Sequence, residues 1–344
     1  GASDSIPAFL EVVAAVTMGT LPEFELRAGQ AAPIPTGGFL PQGADAVVMV
    51  EYTNPAGAGN IEVTRPVTVR TNVLEKGEDA KSGEILLPQG KKLRAQELGF
   101  LAALGITEVA AYRKPRVAVI SSGDEVVPFD RKPGQGQIRD ANSHAISGLV
   151  RACGAEPIAM DIVPDNAGML GESIRNGLAQ ADVVVLSGGS SVGTRDLMVD
   201  AVSSLSGVEI LAHGVAIRPG KPTLLANQRG KPIIGLPGHP VSALIVAQVF
   251  LAPFLLYLQG GSMAKGPVGQ RIRAGLATSI HSTIGLEEYV RVRIEETAQG
   301  DATAYPIFGK SGMISTMVKA NGIVMIPVNA EGLSRGEVVQ VIQY

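Results

Sequence analysis

The chain of 344 residues has no tryptophan, a single cysteine and only 4% aromatic residues. One thiol, Cys153, can close no internal disulfide and build no cysteine metal cluster, which excludes a disulfide-stapled scaffold and fits a reducing cytosol. Cys153 shares helical spacing with Ile146, Leu149 and Val150, so it reads as a core thiol and not as a nucleophile. A basic excess is also lacking. The 29 Lys and Arg residues stand against 32 Asp and Glu, a formal net charge of -3, which provides no field to draw nucleic acid or an anionic membrane surface. The four histidines, His144, His213, His239 and His281, have no metal-ligand spacing, and no Ser-His-Asp set can be read from sequence order. The opening stretch GASDSIPAFLEVV has neither the basic segment nor the unbroken apolar run of a secretory signal. Only residues 240–259, PVSALIVAQVFLAPFLLYLQ, are long and apolar enough to raise a membrane span. Gln248 and Pro253 interrupt that run, and a helix buried against a sheet needs the same all-round apolarity, so a buried helix is expected. A cytoplasmic protein with neither a nucleic-acid nor a membrane partner follows.

Glycine and proline, by contrast, number 42 and 22, which calls for many tight turns. The length accommodates two or more domains. Residues 1–70 read as short strands and turns, from AFLEVVAAVTMG to the alternating IEVTRPVTVR, a β-rich domain. Residues 71–113 read as a small connecting subdomain with a short helix from Ala95 to Leu104. From residue 114 to 260 strands and helices alternate: VAVI, a helix capped by Asn142 or Ser143, PIAMDIV, a helix near Met169 to Ala179, DVVVL, a helix after Thr194, VEILA and PIIGL. This pattern predicts an α/β domain, a parallel sheet with helices on both faces. Residues 261–344 lose helical periodicity and carry RIRAGLATSI, EYVRVRIEET, ATAYPIF, GIVMIPV and EVVQVIQ, the strands of a small β-barrel domain.

Three loops share one construction: SSGDE after VAVI, SGGSSVGTRD after VVVL and LPGHPVS after PIIG. Each leaves the carboxyl end of a buried strand, where a doubly wound sheet places its ligand crevice, and glycines let backbone N–H groups approach an anion. None of the three has the Gly-Lys-Ser/Thr of a P-loop or the dinucleotide fingerprint with its downstream acid. A fourth segment, HGVAIRPGKPTLL, sets Arg218 and Lys221 across a Pro-Gly step, a proline-stiffened pair of cations suited to one anion. Carboxylates complete the set, with Asp124, Glu125, Asp140 and Asp196 available to hold a divalent cation or orient a water beside a phosphate. Asp140 reads equally well as a helix-entry residue.

In chain order, TGGFLPQGADAVVM, GEDAKSGEILLPQG, LGFLAALGI, VAVISSGDEVV with GQIRDAN, LSGGSSVGTRD, RPGKP and GLPGHPVSA resemble the molybdopterin molybdenumtransferase family, MoeA and the E-domain of gephyrin, over essentially the whole sequence. The resemblance implies the last step of molybdenum cofactor synthesis: adenylylated molybdopterin is bound, molybdate is inserted at its dithiolene, and AMP is released with the help of Mg2+. It implies a homodimer and contacts with other enzymes of cofactor synthesis. Carried over by motif, Gly123, Asp124, Asn142, Ser187, Gly188, Gly189, Ser190, Ser191, Gly193, Gly238 and Ser242 would bind the pterin and AMP. Asp196, Asp140 and Lys221 would be catalytic, with the two aspartates holding the metal. Arg218, Lys221, Pro222, Arg291 and Ser315 would contact molybdate.

The sequence departs from the family pattern in places. Members carry a helical segment and a DGYA motif upstream, and neither stands ahead of GASDSIPAFL. Arg139 stands where tyrosine is common, His239 where asparagine is common and Ser190 where valine is common. Three neighbouring readings share some of these residues. A tungstate-inserting paralogue would use the same anion contacts, because the two oxyanions nearly coincide in size and charge. A molybdopterin adenylyltransferase shares the central domain but not the β-rich flanks or the RPGKP loop. A non-catalytic scaffold of the gephyrin kind would not need Asp196, Arg218 and Lys221.

Overall fold

The structure, a computed structural model, describes residues 2–3, 5–188, 197–262, 266–296 and 302–344. The chain divides into two units, Gly1–Leu87 and Pro88–Tyr344. In the first, strands β1 (Ala8–Val12), β2 (Gln30–Ala31), β3 (Thr53–Pro55) and β4 (Asn60–Val63) form one sheet in the order β2-β1-β4-β3. Strand β1 alternates between half-buried and exposed positions, as a strand with one covered face does. The alternating run IEVTRPVTVR supplies only β4, which ends at Val63, three residues before Pro66. Proline has no N–H to continue a ladder, and the chain beyond it turns.

The second unit opens with helix α1 (Ala95–Ala103), the helix expected from its spacing. An α/β layer follows. It comprises β5 (Arg116–Ser121), β6 (Val126–Val127), β7 (Ile138–Arg139), α2 (Asn142–Ala152), β8 (Glu156–Ala159), α3 (Ala167–Gln180), β9 (Val183–Ser187) and α4 (Leu197–Ser203). It continues through β10 (Val208–His213), β11 (Ile217–Arg218), β12 (Leu224–Gln228), β13 (Lys231–Leu236), α5 (Pro240–Val246), a π-helical turn (Ala247–Leu251) and α6 (Ala252–Leu258). The main sheet has the order β10-β12-β13-β9-β5-β8. Strands β13, β9, β5 and β8 are mutually parallel, and β12 and β10 add an antiparallel edge.

The continuous apolar runs are shared between two cores by simple alternation. Val117, Val119, Val183, Val185, Ile234 and Leu236 face α2 and the long helix, whereas Ala118, Ile120, Val184, Leu186 and Ile233 face α3 and α4. Burying a side chain of this size contributes about 1.5–3 kcal/mol. Residues 240–258 form the one stretch of helix among the described residues long and apolar enough to cross a membrane. Val241, Ile245, Val246, Leu251 and Leu255 are fully buried against the sheet, as the expected core helix requires.

The same core runs on into Tyr289, Met317 and Ile323 of the C-terminal part. There β14 (Arg271–Leu276), β15 (Ile280–His281), β16 (Glu287–Glu296), β17 (Ala302–Pro306), α7 (Ser315–Lys319), β18 (Gly322–Ile326), β19 (Gly332–Leu333) and β20 (Val338–Gln343) follow in turn. The sequence β16-β17-β14-β20-β18 closes back on β16 and makes a five-stranded barrel. Closure removes the free edges that an open sheet would expose.

Candidate functional site

Strands β13, β9 and β5 are adjacent and parallel, with Leu236, Ser187 and Ser121 in one register. Their following loops therefore leave side by side from one edge. At that edge lies a cavity of about 1110 Å³. The close approach of two of these loops dictates a glycine: Gly188 has φ +116°, and a Cβ there would sit 2.1 Å from the Ser122 carbonyl oxygen. Any side chain would push the β9 loop off the β5 loop.

The cavity collects most of the residues expected from sequence. Gly123, Asp140, Asn142, Ser187, Gly188, Arg218, Lys221, Pro222, Gly238 and Ser242 all line it. Gly189, Ser190, Ser191, Gly193 and Asp196 lie outside the described residues. Asp140 is buried at 8% exposure, and its Oδ1 accepts from the Ser143 backbone N–H at 3.0 Å. Asp140, one residue before the N-cap Ala141, thus satisfies an N–H in the first turn of α2, the helix-entry role the sequence also offered it beside Asn142 or Ser143 as caps. Asn142 Nδ2 instead donates to the Gly238 carbonyl at 2.8 Å and ties the start of α2 to the LPGHP loop.

Asp124 does not line the cavity. Its Oδ1 accepts from the Asp165 backbone N–H at 3.1 Å, and Glu125 and Asp165 face the cavity in its place. Burial raises the Asp165 carboxyl pKa above its usual value, and the neighbouring Asp124 charge adds to the shift. Ser122 also lines the cavity, with its Oγ buried and without a partner among the described residues.

The RPGKP segment takes a course that the sequence did not indicate. Arg218 belongs to β11, which pairs in parallel with β16 of the barrel, Ile217 opposite Glu287 and Arg218 opposite Glu288. Gly220, at φ +130°, has no room for a Cβ, which would approach Val246 Cγ2 to 2.5 Å. Two cations from one loop are thus set where the α/β layer meets the barrel.

A second cavity of about 460 Å³ adjoins there, lined by Arg218, His281, Glu288, Arg291 and Ser311 among others. Arg218 and Ser311 line both cavities. Arg291 is 7% exposed, its Nη2 donates to the Gly309 carbonyl at 3.2 Å, its Nε is buried without a partner among the described residues, and burial lowers its pKa from the usual guanidinium value. Ser315 begins α7, is exposed and lines neither cavity.

Ser311, four residues earlier, lines both cavities and was not singled out in the sequence. Its Oγ lies 2.9 Å from His239 Nδ1 and its carbonyl accepts from the Val241 N–H at 3.0 Å, so the barrel loop docks on LPGHP. No local pattern signals a contact between segments 72 residues apart.

Comparison with known proteins matches the chain to three family models in succession. Residues 2–105 match the MoeA N-terminal region (domain I and II), residues 118–257 a probable molybdopterin binding domain, and residues 273–344 the MoeA C-terminal region (domain IV). A molybdopterin molybdenumtransferase of Nostoc sp. is 37% identical, over 98% of this chain and 77% of the relative. One of Haemophilus influenzae is 32% identical, over 90% of this chain and 76% of its own length. The crystal structure of the molybdopterin biosynthesis moeA protein from Pyrococcus horikoshii OT3 superposes with a TM-score of 0.83 at 30% identity, covering 100% of this chain and 83% of that one. The chain therefore belongs to the MoeA family, that of the molybdopterin molybdenumtransferases.

Proposed function

We propose that the protein inserts molybdate into adenylylated molybdopterin and releases AMP. One observation carries this reading: two cavities of different character adjoin and share Arg218 and Ser311. The larger, floored by glycine loops and serine hydroxyls at a sheet edge, suits a flat heterocycle with a phosphate tail. The smaller, lined by Arg218, Arg291 and Ser311, suits a tetrahedral oxyanion.

In this reading Gly123, Asn142, Ser187, Gly188, Gly238 and Ser242 hold the pterin and nucleotide, together with Gly189, Ser190, Ser191 and Gly193. Arg218, Lys221, Pro222 and Arg291 hold the oxyanion, and Ser311 is better placed than Ser315 to assist them. A guanidinium presents its donors in a fixed fork, which would orient the anion as well as attract it.

Magnesium fits the donor set. Mg2+ is usually bound through one or two carboxylates, with substrate phosphates and waters completing its shell. Asp140 lines the cavity, with Oδ1 accepting from the Ser143 N–H, and it is proposed as one ligand with Asp196 as the second. When bound, the ion would neutralise phosphate charge and polarise the phosphoanhydride. A homodimer working in the cytoplasm, in contact with other enzymes of cofactor synthesis, belongs to the same proposal and rests on family membership alone.

Crystals soaked with AMP and tungstate test the assignment. The nucleotide is expected in the larger cavity and the heavy anion, located by anomalous scattering, beside Arg218 and Arg291. An anion bound elsewhere would remove the assignment.

A further inference from the structure

Glu288 is the only acidic side chain lining the smaller cavity among the described residues. Its Oε2 accepts from Arg218 Nη2 at 2.5 Å and from Ser282 Oγ at 2.8 Å. The Glu288 side chain is 15% exposed and that of Arg218 44%, so the carboxylate is the enclosed, anchored partner. Strand pairing fixes the same contact from the backbone, with Arg218 opposite Glu288. The cavity therefore presents two guanidinium groups and one carboxylate. An entering dianion competes with Glu288 for Arg218 and feels like-charge repulsion at short range.

We propose that Glu288 is a positioning residue for Arg218 and a built-in counter-charge: it holds the guanidinium at the junction of the two cavities and keeps oxyanion affinity low enough for the anion to be passed on. This rests on the assignment of the smaller cavity to the oxyanion substrate. The chemical logic is that of ground-state binding. An anion held equally tightly before and during transfer gains nothing in rate, and one held too tightly beforehand loses rate.

The test combines calorimetric titration of molybdate with steady-state AMP release at varied molybdate, for the wild type, Glu288→Gln, Glu288→Asp and Arg291→Gln. Glu288→Gln keeps the shape and an acceptor oxygen for Arg218 and Ser282 while removing the charge. Its molybdate Kd is expected to fall about tenfold, with KM and kcat falling together. Glu288→Asp keeps the charge and is expected to stay close to the wild-type Kd.

A purely structural role predicts the opposite sign. Weaker or unchanged molybdate binding in Glu288→Gln, or a raised KM at constant kcat, overturns the proposal. Arg291→Gln separates the two layers of the argument: lost binding there keeps the oxyanion site. Unaltered binding in Arg291→Gln removes that site, and the role of Glu288 with it.

Discussion

Lys221 lines only the larger cavity, whereas Arg218 borders both and Arg291 only the smaller. Its proposed contact with molybdate would therefore be made from the side of the larger cavity, three residues along the loop from Arg218. A hydrogen bond to a charged group is worth about 1.5–3 kcal/mol. Lys221→Ala should therefore weaken molybdate binding about tenfold or more while leaving nucleotide affinity nearly unchanged; equal losses in parallel titrations would argue against the assignment. Asp196→Asn should preserve pterin binding and abolish AMP release, and unchanged turnover would sink its proposed role as metal or water ligand. The glycine loops stood out only as a group, because three of them leave the carboxyl ends of buried strands, whereas any one such glycine also serves an ordinary tight turn. Ser311 did not stand out, because its place depends on a barrel loop folding back onto LPGHP, and Ser315 shares its chemistry a few residues along.

At the scale of elements, the parallel strands were legible from unbroken apolar runs, since a strand covered on both faces needs apolar residues at every position. Strand β12 was less so: LLANQ ends in polar residues, and its antiparallel partners fix it more than its own pattern does. The two residues of β11 are a strand only by virtue of β16, a pairing no local rule foresees.

Packing between elements is testable at Gly235 of β13, where a Cβ would lie 2.1 Å from Met198 Sδ and 2.9 Å from Leu224 Cβ. Gly235→Ala should destabilise the protein by about 1–3 kcal/mol, read as a lowered urea midpoint. It should also disturb the LPGHP loop that β13 feeds. Helix α1 offers a pH test. Glu97 accepts from the Arg94 N–H at 2.9 Å and pairs with its guanidinium, which lowers its pKa to about 2. Because the folded state favours the ionised form, the stabilisation is present above the ordinary carboxylate pKa and is lost as pH falls towards 2. The loss of thermal midpoint in Glu97→Gln should accordingly be largest near neutrality and shrink on acidification.

On the scale of the whole molecule, the α/β layer and the barrel meet along β11, the long helix and the Ser311 loop, and the proposed function depends on that meeting. Their shared core through Tyr289, Met317 and Ile323 makes that meeting a packed interface. Adjacent cavities can then hold two substrates within reach of each other, which a tethered pair of separate modules could not ensure. The barrel and the α/β layer were each readable from their own periodicity, but their junction was not, since it is made of contacts distant in sequence.

The most direct measurement supplies the protein with adenylylated molybdopterin, Mg2+ and either molybdate or tungstate, and follows AMP together with the activity of a reconstituted molybdenum oxidoreductase. AMP release that requires the oxyanion, accompanied by oxidoreductase activity with molybdate, is the expected result. AMP release indifferent to the oxyanion, or bound substrate with no release at all, would contradict the assigned function.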